Sequence, residues 1–265
     1  MLGERVVLML NDKPTHWDFV LKTWAVWPPL TAPSDLELEA LQKNRLAFIP
    51  HHLKRRLSPL AKTVFCAAGQ CDSLKDNLKD TLKNNWPVVF SSTHGELGKS
   101  LEMIKLIEAG EEISPTAFSL SVHNAIAGLF SIVYGNTAEM TVLASGEDGI
   151  GPAFLEALGL LQEGAADVLI VFYDEPLPDF YPAAPFQLST DSRCALMLAI
   201  SKDGDGQTIQ FQRDGQCGYA GEQPVQLPLL IQFLSGADTR LQIKTPRQTW
   251  HWQKLESLVE TAETA

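Results

Sequence analysis

The sequence predicts an α/β protein, a largely parallel sheet layered between helices. Three observations carry that reading. Short apolar, β-prone runs alternate with longer stretches of helical period along most of the chain, the order that builds strand–helix–strand units. Asp167 to Tyr173, DVLIVFY, is a continuous apolar run, the mark of a strand covered on both faces. Ala138 to Gly164 reads as a strand, a glycine-bearing turn and an amphipathic helix. There Thr141 and Val142 are β-branched, Ser145-Gly146-Glu147-Asp148-Gly149 breaks the run, and Phe154, Leu155, Leu158 and Leu161 recur at helical spacing. Gly164 stands where a helix C-cap belongs. Such a turn brings Glu147 toward the backbone N–H groups and positive dipole end of the following helix.

The remaining elements follow in order. Met1 to His16 has no strong pattern and reads as a loose extension. Phe19-Val20-Leu21 and Trp24-Ala25-Val26-Trp27 predict a first strand, ended by Pro28-Pro29. Residues 30 to 50 read as loop and short helix. Ser58 and Pro59 open a helix through Ala68, Ser58 as its cap and Pro59 at its first position. Ser73 to Asn84 reads as a second, more polar helix. Pro87 to Ser92 is a buried strand that runs into the loop Thr93-His94-Gly95-Glu96 and a helix from Leu97 to Ala109. After an irregular segment from Ser114, Asn124 is placed to cap a helix from Ala125 to Tyr134, with Gly135 beyond it. Pro176, Pro178, Pro182 and Pro185 make a long connection. Cys194 to Ser201 and Thr208 to Gln212 predict a hairpin joined at Lys202 to Gly206. An apolar stretch, Leu229 to Leu234, and a closing helix from Trp252 to Glu260 end the reading.

Composition narrows the classes of function. The 265 residues carry 21 basic and 32 acidic side chains, a net charge of −11, which argues against general nucleic-acid binding. The four cysteines match no zinc spacing and read as buried or inert thiols of a reducing cytosol, so a cytoplasmic location is expected, with no metal and no cofactor. Met1 to Leu10 has no signal-peptide pattern. Ile113 to Ala138 holds no Asp, Glu, Lys or Arg, yet its polar residues argue against a membrane helix, which needs about 20 predominantly apolar positions. Burial inside the protein or against another chain fits that window better.

Two stretches together, SPTAFSLSVHNAIAGLFSIVYGNTAEMTVLASGED and FLEALGLLQEGAADVLIVFYDEP, resemble a β-ketoacyl synthase of the thiolase fold. Ser114-Pro115, Asn124, Ala127-Gly128, Gly135, Gly164 and Asp167 fall in register with that family. Counting forward from Asn124 and Gly128, or back from Gly164, places the family's catalytic cysteine at Glu147. The resemblance is good over Ser91 to Ser201 and looser before it. It implies a thiolase-like fold, the layered N-terminal α/β/α half with much of the second half missing. The implied organisation is one truncated ketosynthase-like domain over residues 1–265, with a core at 18–213 and an extension at 214–265.

The departures from the family set the functional expectation. A thiolate forms the acyl thioester in ketosynthases, and a helix N-terminus lowers its pKa. Glu147 is a poor nucleophile for that step. The histidines His16, His51, His52, His94, His123 and His251 fit none of the family's second-half patterns. What remains resembles the non-catalytic partners called chain-length factors, especially those of bacterial aryl-polyene clusters. By that analogy the chain forms a heterodimer with an active β-ketoacyl synthase in polyketide, aryl-polyene or fatty-acid-like biosynthesis. Met140, Thr141, Val142, Leu143 and Ala144 would lie at the subunit contact, and Phe118, His123 and Asn124 near the pocket mouth. Lys54, Arg55 and Arg56 offer a dock for an acidic acyl carrier protein.

Each residue also has a plainer reading. Glu147 serves as an electrostatic helix cap, worth about 0.3–1 kcal/mol. His123 and Asn124 cap a helix instead of lining a pocket. Lys54 to Arg56 form a solvated helix end, and Asp174-Glu175 a solvated strand end rather than a metal site. The competing function is a stand-alone acyl-thioester decarboxylase or hydrolase using Glu147 with His94 or His123. No Ser–His or Cys–His arrangement of known spacing supports it.

Overall fold

The structure, a computed structural model, describes residues 15–31, 34–71, 86–179, 192–215 and 226–256. Eight strands form one sheet in the order β3-β2-β4-β5-β1-β6-β8-β7. They are β1 (Thr15–Trp27), β2 (Val88–Ser91), β3 (Met140–Leu143), β4 (Asp167–Asp174), β5 (Cys194–Ser201), β6 (Gln207–Asp214), β7 (Arg240–Lys244) and β8 (Thr249–Lys254). The helices are α1 (Asp35–Arg45), α2 (His51–Lys54), α3 (Pro59–Ala68), α4 (Leu97–Glu108), α5 (Pro115–Ser119), α6 (Ala125–Tyr134), α7 (Gly151–Gln162) and α8 (Gln226–Ser235). The expected helix at Ser73 to Asn84 lies outside the described residues.

Helices cover the sheet on two faces. On one, Val64 and Phe65 of α3 and Phe130 and Tyr134 of α6 pack on Val88, Phe90, Leu169 and Val171. On the other, Phe154 and Leu158 of α7 and Leu230 and Phe233 of α8 pack on Val89, Ile170, Phe211 and Trp252. Every residue of β4 from Val168 on is buried, as its unbroken apolar run demands. The Ser58 hydroxyl accepts from the Ala61 N–H at 2.8 Å, with Pro59 behind it, so α3 starts where its signals place it. Gly135 closes α6 at φ 67°.

The structure corrects three expectations. The sheet is mixed: only β3-β2-β4 is parallel, and the remaining pairings are antiparallel. β5 and β6 are not a hairpin, because β1 lies between them; Val20 pairs with Ser201 on one side and Thr208 on the other. The linker from Lys202 to Gly206 has only to step across one intervening strand, about 10 Å. The segment around Trp252 is strand, not helix. Trp250 and Trp252 are both buried on one face of β8, the period of two that a strand imposes. The last part of the chain therefore shares the sheet and the core: β6 pairs with β8, and α8 lies on the α7 face.

Candidate functional site

The parallel strands β2, β3 and β4 end together in polar residues: Ser91-Ser92, Ala144-Ser145 and Asp174-Glu175. The crevice outside the carboxyl ends of such strands is where open α/β sheets place their sites.

Glu147 sits in this region, in a 3-10 turn over Gly146–Asp148, with its side chain exposed. The turn does not lead straight into α7. Gly149 intervenes at φ 61°, and α7 begins only at Gly151. The N–H just before α7 is met by a residue from far along the chain. Gln226, fully buried at the start of α8, accepts a hydrogen bond through Oε1 from the Ile150 N–H at 3.0 Å. A β-carbon on Gly149 would lie 2.0 Å from that oxygen, so glycine is required there for space as well as for φ. Asp148 is held by Arg247 at 3.1 Å and accepts from the Thr245 hydroxyl at 3.4 Å. Gly151 abuts Trp250, whose ring leaves no room for a side chain. The connection between β7 and β8 and the start of α8 thus clamp the turn from below.

The clamp leaves the turn few free donors. The Asp148 N–H donates to the Ser145 carbonyl and the Gly149 N–H to the Gly146 carbonyl, each at 3.2 Å, and the Ile150 N–H is spent on Gln226. Oxyanion stabilisation needs N–H groups aimed at the developing charge. These three point elsewhere.

His123 is a strap between loops. Its Nε2 lies 3.2 Å from the Leu143 carbonyl, which fixes the proton on Nε2, and its backbone carbonyl accepts from the Tyr173 hydroxyl at 3.4 Å. Its ring lies over Gly95, in the loop that carries His94. His94 is half-buried in the loop between β2 and α4. Asn124 occupies the cap position of α6, but its side chain is exposed and makes no capping bond, contrary to expectation. Phe118 on α5 is 59% exposed.

Met140, Thr141, Val142 and Leu143 form β3, half-buried throughout, at the end of the sheet. Met140 and Val142 pack toward the α3–α6 core and Leu143 toward the α7 core, and Thr141 donates to Glu156 at 2.8 Å. Both faces are therefore occupied while the outer edge is bare of any described strand. Ala144 is exposed just beyond it. Lys54, Arg55 and Arg56 sit at the end of α2, the two arginines exposed.

A polar knot that the sequence did not single out underlies the site. Glu96, 4% exposed at the start of α4, accepts from the Ser58 hydroxyl and lies 3.4 Å from the Lys99 ammonium. Burial raises its carboxyl above the usual range, opposed by Ser58 and Lys99. Ser92 donates to Asp174 at 3.1 Å and accepts from the Gly95 N–H at 2.8 Å, and Arg193 pairs with Glu175 at 2.9 Å. Ser58 was legible as a cap, but its second partner lies 38 residues away in sequence. Burial pushes the thiols of Cys66 and Cys194 up to about 12.

Comparison with known proteins places this geometry. No curated protein matches the sequence. The chain is similar in structure to a chain of the ketosynthase ApeO in complex with its chain length factor ApeC from Xenorhabdus doucetiae, at 22% identity and a TM-score of 0.65, over 88% of this chain and 99% of that one. It is also similar to a chain of AntDE:AntF, a type II PKS acyl-carrier protein in complex with its ketosynthase, at 14% identity and a TM-score of 0.51, over 69% of this chain and 62% of that one. A β-ketoacyl synthase from Burkholderia phymatum STM815 follows at 11% identity and a TM-score of 0.50, over 76% and 65%. The chain spans less than two thirds of the latter two. These likenesses establish the thiolase-like ketosynthase fold. Residues 24–253 match the family described as β-ketoacyl synthase, N-terminal domain, and the chain belongs to that family.

Proposed function

We propose that this protein is a non-catalytic ketosynthase-like subunit, a chain-length factor, that pairs with an active β-ketoacyl synthase in polyketide or aryl-polyene assembly. The observation that carries the proposal is the turn at Glu147: a carboxylate stands where the sequence resemblance would put the family's nucleophile, and the neighbouring N–H groups at Asp148, Gly149 and Ile150 are spent on internal partners. A turn so occupied counts against the stand-alone decarboxylase or hydrolase, as does the commitment of His123 Nε2 to the Leu143 carbonyl. The proposed pairing surface is the outer edge of β3; Phe118 on α5 and Ile132 on α6, the helix before the strand, are 59% and 60% exposed. An uncovered edge of this kind invites another chain, and an obligate interface buries roughly 2,000 Å² or more. Lys54, Arg55 and Arg56 are the proposed dock for an acidic carrier protein. A cytoplasmic site of action is proposed with them; no helix among the described residues is long and apolar enough to cross a membrane.

Co-expression with a β-ketoacyl synthase tests the reading. The two chains are expected to copurify one-to-one, and condensation to require both. Thioester turnover by this chain alone, as a soluble monomer, would overturn it.

A further inference from the structure

The edge of β3 carries a charge at each end. Glu139 stands immediately before the strand and Glu147 three residues beyond Ala144, and both are exposed. Glu139 also borders a groove at the foot of the sheet lined by Glu163 and Asp167, with no basic side chain among its described lining residues. Two copies of one chain that add edge to edge do so about a two-fold axis, with their strands antiparallel. With the axis between Thr141 and Val142, Glu139 of one copy faces Ala144 of the other and comes beside the turn that holds its Glu147. The same meeting repeats at the opposite end. A self-paired β3 therefore sets carboxylates against carboxylates at both ends, within a chain whose net charge is already −11.

We infer that Glu139 and Glu147 make the β3 edge selective for an unlike chain with cationic side chains at those two places, and close it to a second copy of this protein. The inference rests on the pairing proposed above. Like charges brought together across an interface reject a wrong partner more strongly than they tune a right one. The apolar middle of the strand supplies adhesion without discrimination, since Met140, Val142 and Leu143 would suit a like or an unlike edge equally. The two carboxylates supply the choice.

The test uses the full chain and its charge-reversed variant Glu139→Lys/Glu147→Lys, followed by analytical ultracentrifugation at low and high salt. Wild type alone and variant alone are expected to stay monomeric at low salt. Their mixture is expected to form a one-to-one dimer at least about tenfold more readily than either alone. The Glu139→Gln/Glu147→Gln variant is expected to self-associate, and high salt to weaken the mixed dimer. Wild type that self-pairs at low salt overturns the inference, and so does a mixture that forms no dimer. Equal copurification of a ketosynthase by the wild-type and lysine variants overturns the charge rule and leaves the partner reading standing. A mixed dimer without capture of any ketosynthase does the reverse.

Discussion

Glu96 and His251 are two side chains whose surroundings disfavour their charged forms. Glu96 is lodged between the starts of α3 and α4, and its folded pKa is raised, chiefly by burial. A raised acid binds its proton more tightly in the folded state, so its contribution is full below the ordinary carboxyl pKa and is lost as pH rises through the folded value. Glu96→Gln keeps an acceptor for the Ser58 hydroxyl and removes the buried charge. It is expected to melt above wild type at pH 7 and to converge with it in acid, measured by circular dichroism. His251 lies on the opposite, open face of β8, where register aligns it with Gln212 on β6 and Gln242 on β7. Burial lowers its pKa, with Lys244 acting the same way and Asp214 opposing. A lowered base favours the neutral ring, so stability falls as pH drops below the ordinary imidazole range. His251→Gln is expected to flatten the decline in urea midpoint between pH 7 and pH 5; an unchanged slope would remove His251 from the account.

The turn between β3 and α7 is the element on which most depends. Gln226→Ala leaves the Ile150 N–H buried without its acceptor, a loss of about 1–3 kcal/mol, to be read by urea denaturation. Asp148 with Arg247 is a lesser tie, because the arginine side chain is 65% exposed. A double-mutant cycle of Asp148→Asn and Arg247→Ala is expected to return a coupling of about 0.2–1 kcal/mol. Local signals made much of this element readable. The β-branched pair Thr141-Val142, the glycines and the leucine spacing of α7 place strand, turn and helix in one stretch. Ser58-Pro59 and Gly135 did the same for α3 and α6. The clamp was not readable, since Gln226 is one amide before an apolar run and its partner is 76 residues away. The two buried tryptophans of β8 did signal a strand through their spacing of two, a period the helical reading passed over.

Across the whole molecule, α7 packs on residues of the last strands as well as of the first, so the last strands are as much a part of the core as the first. Phe154 of α7 lies 5.4 Å from Trp252 and 5.6 Å from Phe211, centroid to centroid. A chain ending at Gly215 would uncover Phe154 and Phe211 together. It is expected to lose a cooperative melt, whereas a separable extension would leave the transition of the remainder intact. The mixed sheet itself was beyond sequence reading, because the alternation of strands and helices reports local order and says nothing of where β1 inserts.

That insertion also bears on how the protein is made. β1 leaves the ribosome first, yet both of its neighbours, β5 and β6, are encoded from Cys194 onward. At about 5–20 residues per second of translation, the nascent strand waits on the order of 10–35 s with both edges unpaired. Slowing translation between β1 and β5 is therefore expected to lower the yield of soluble protein.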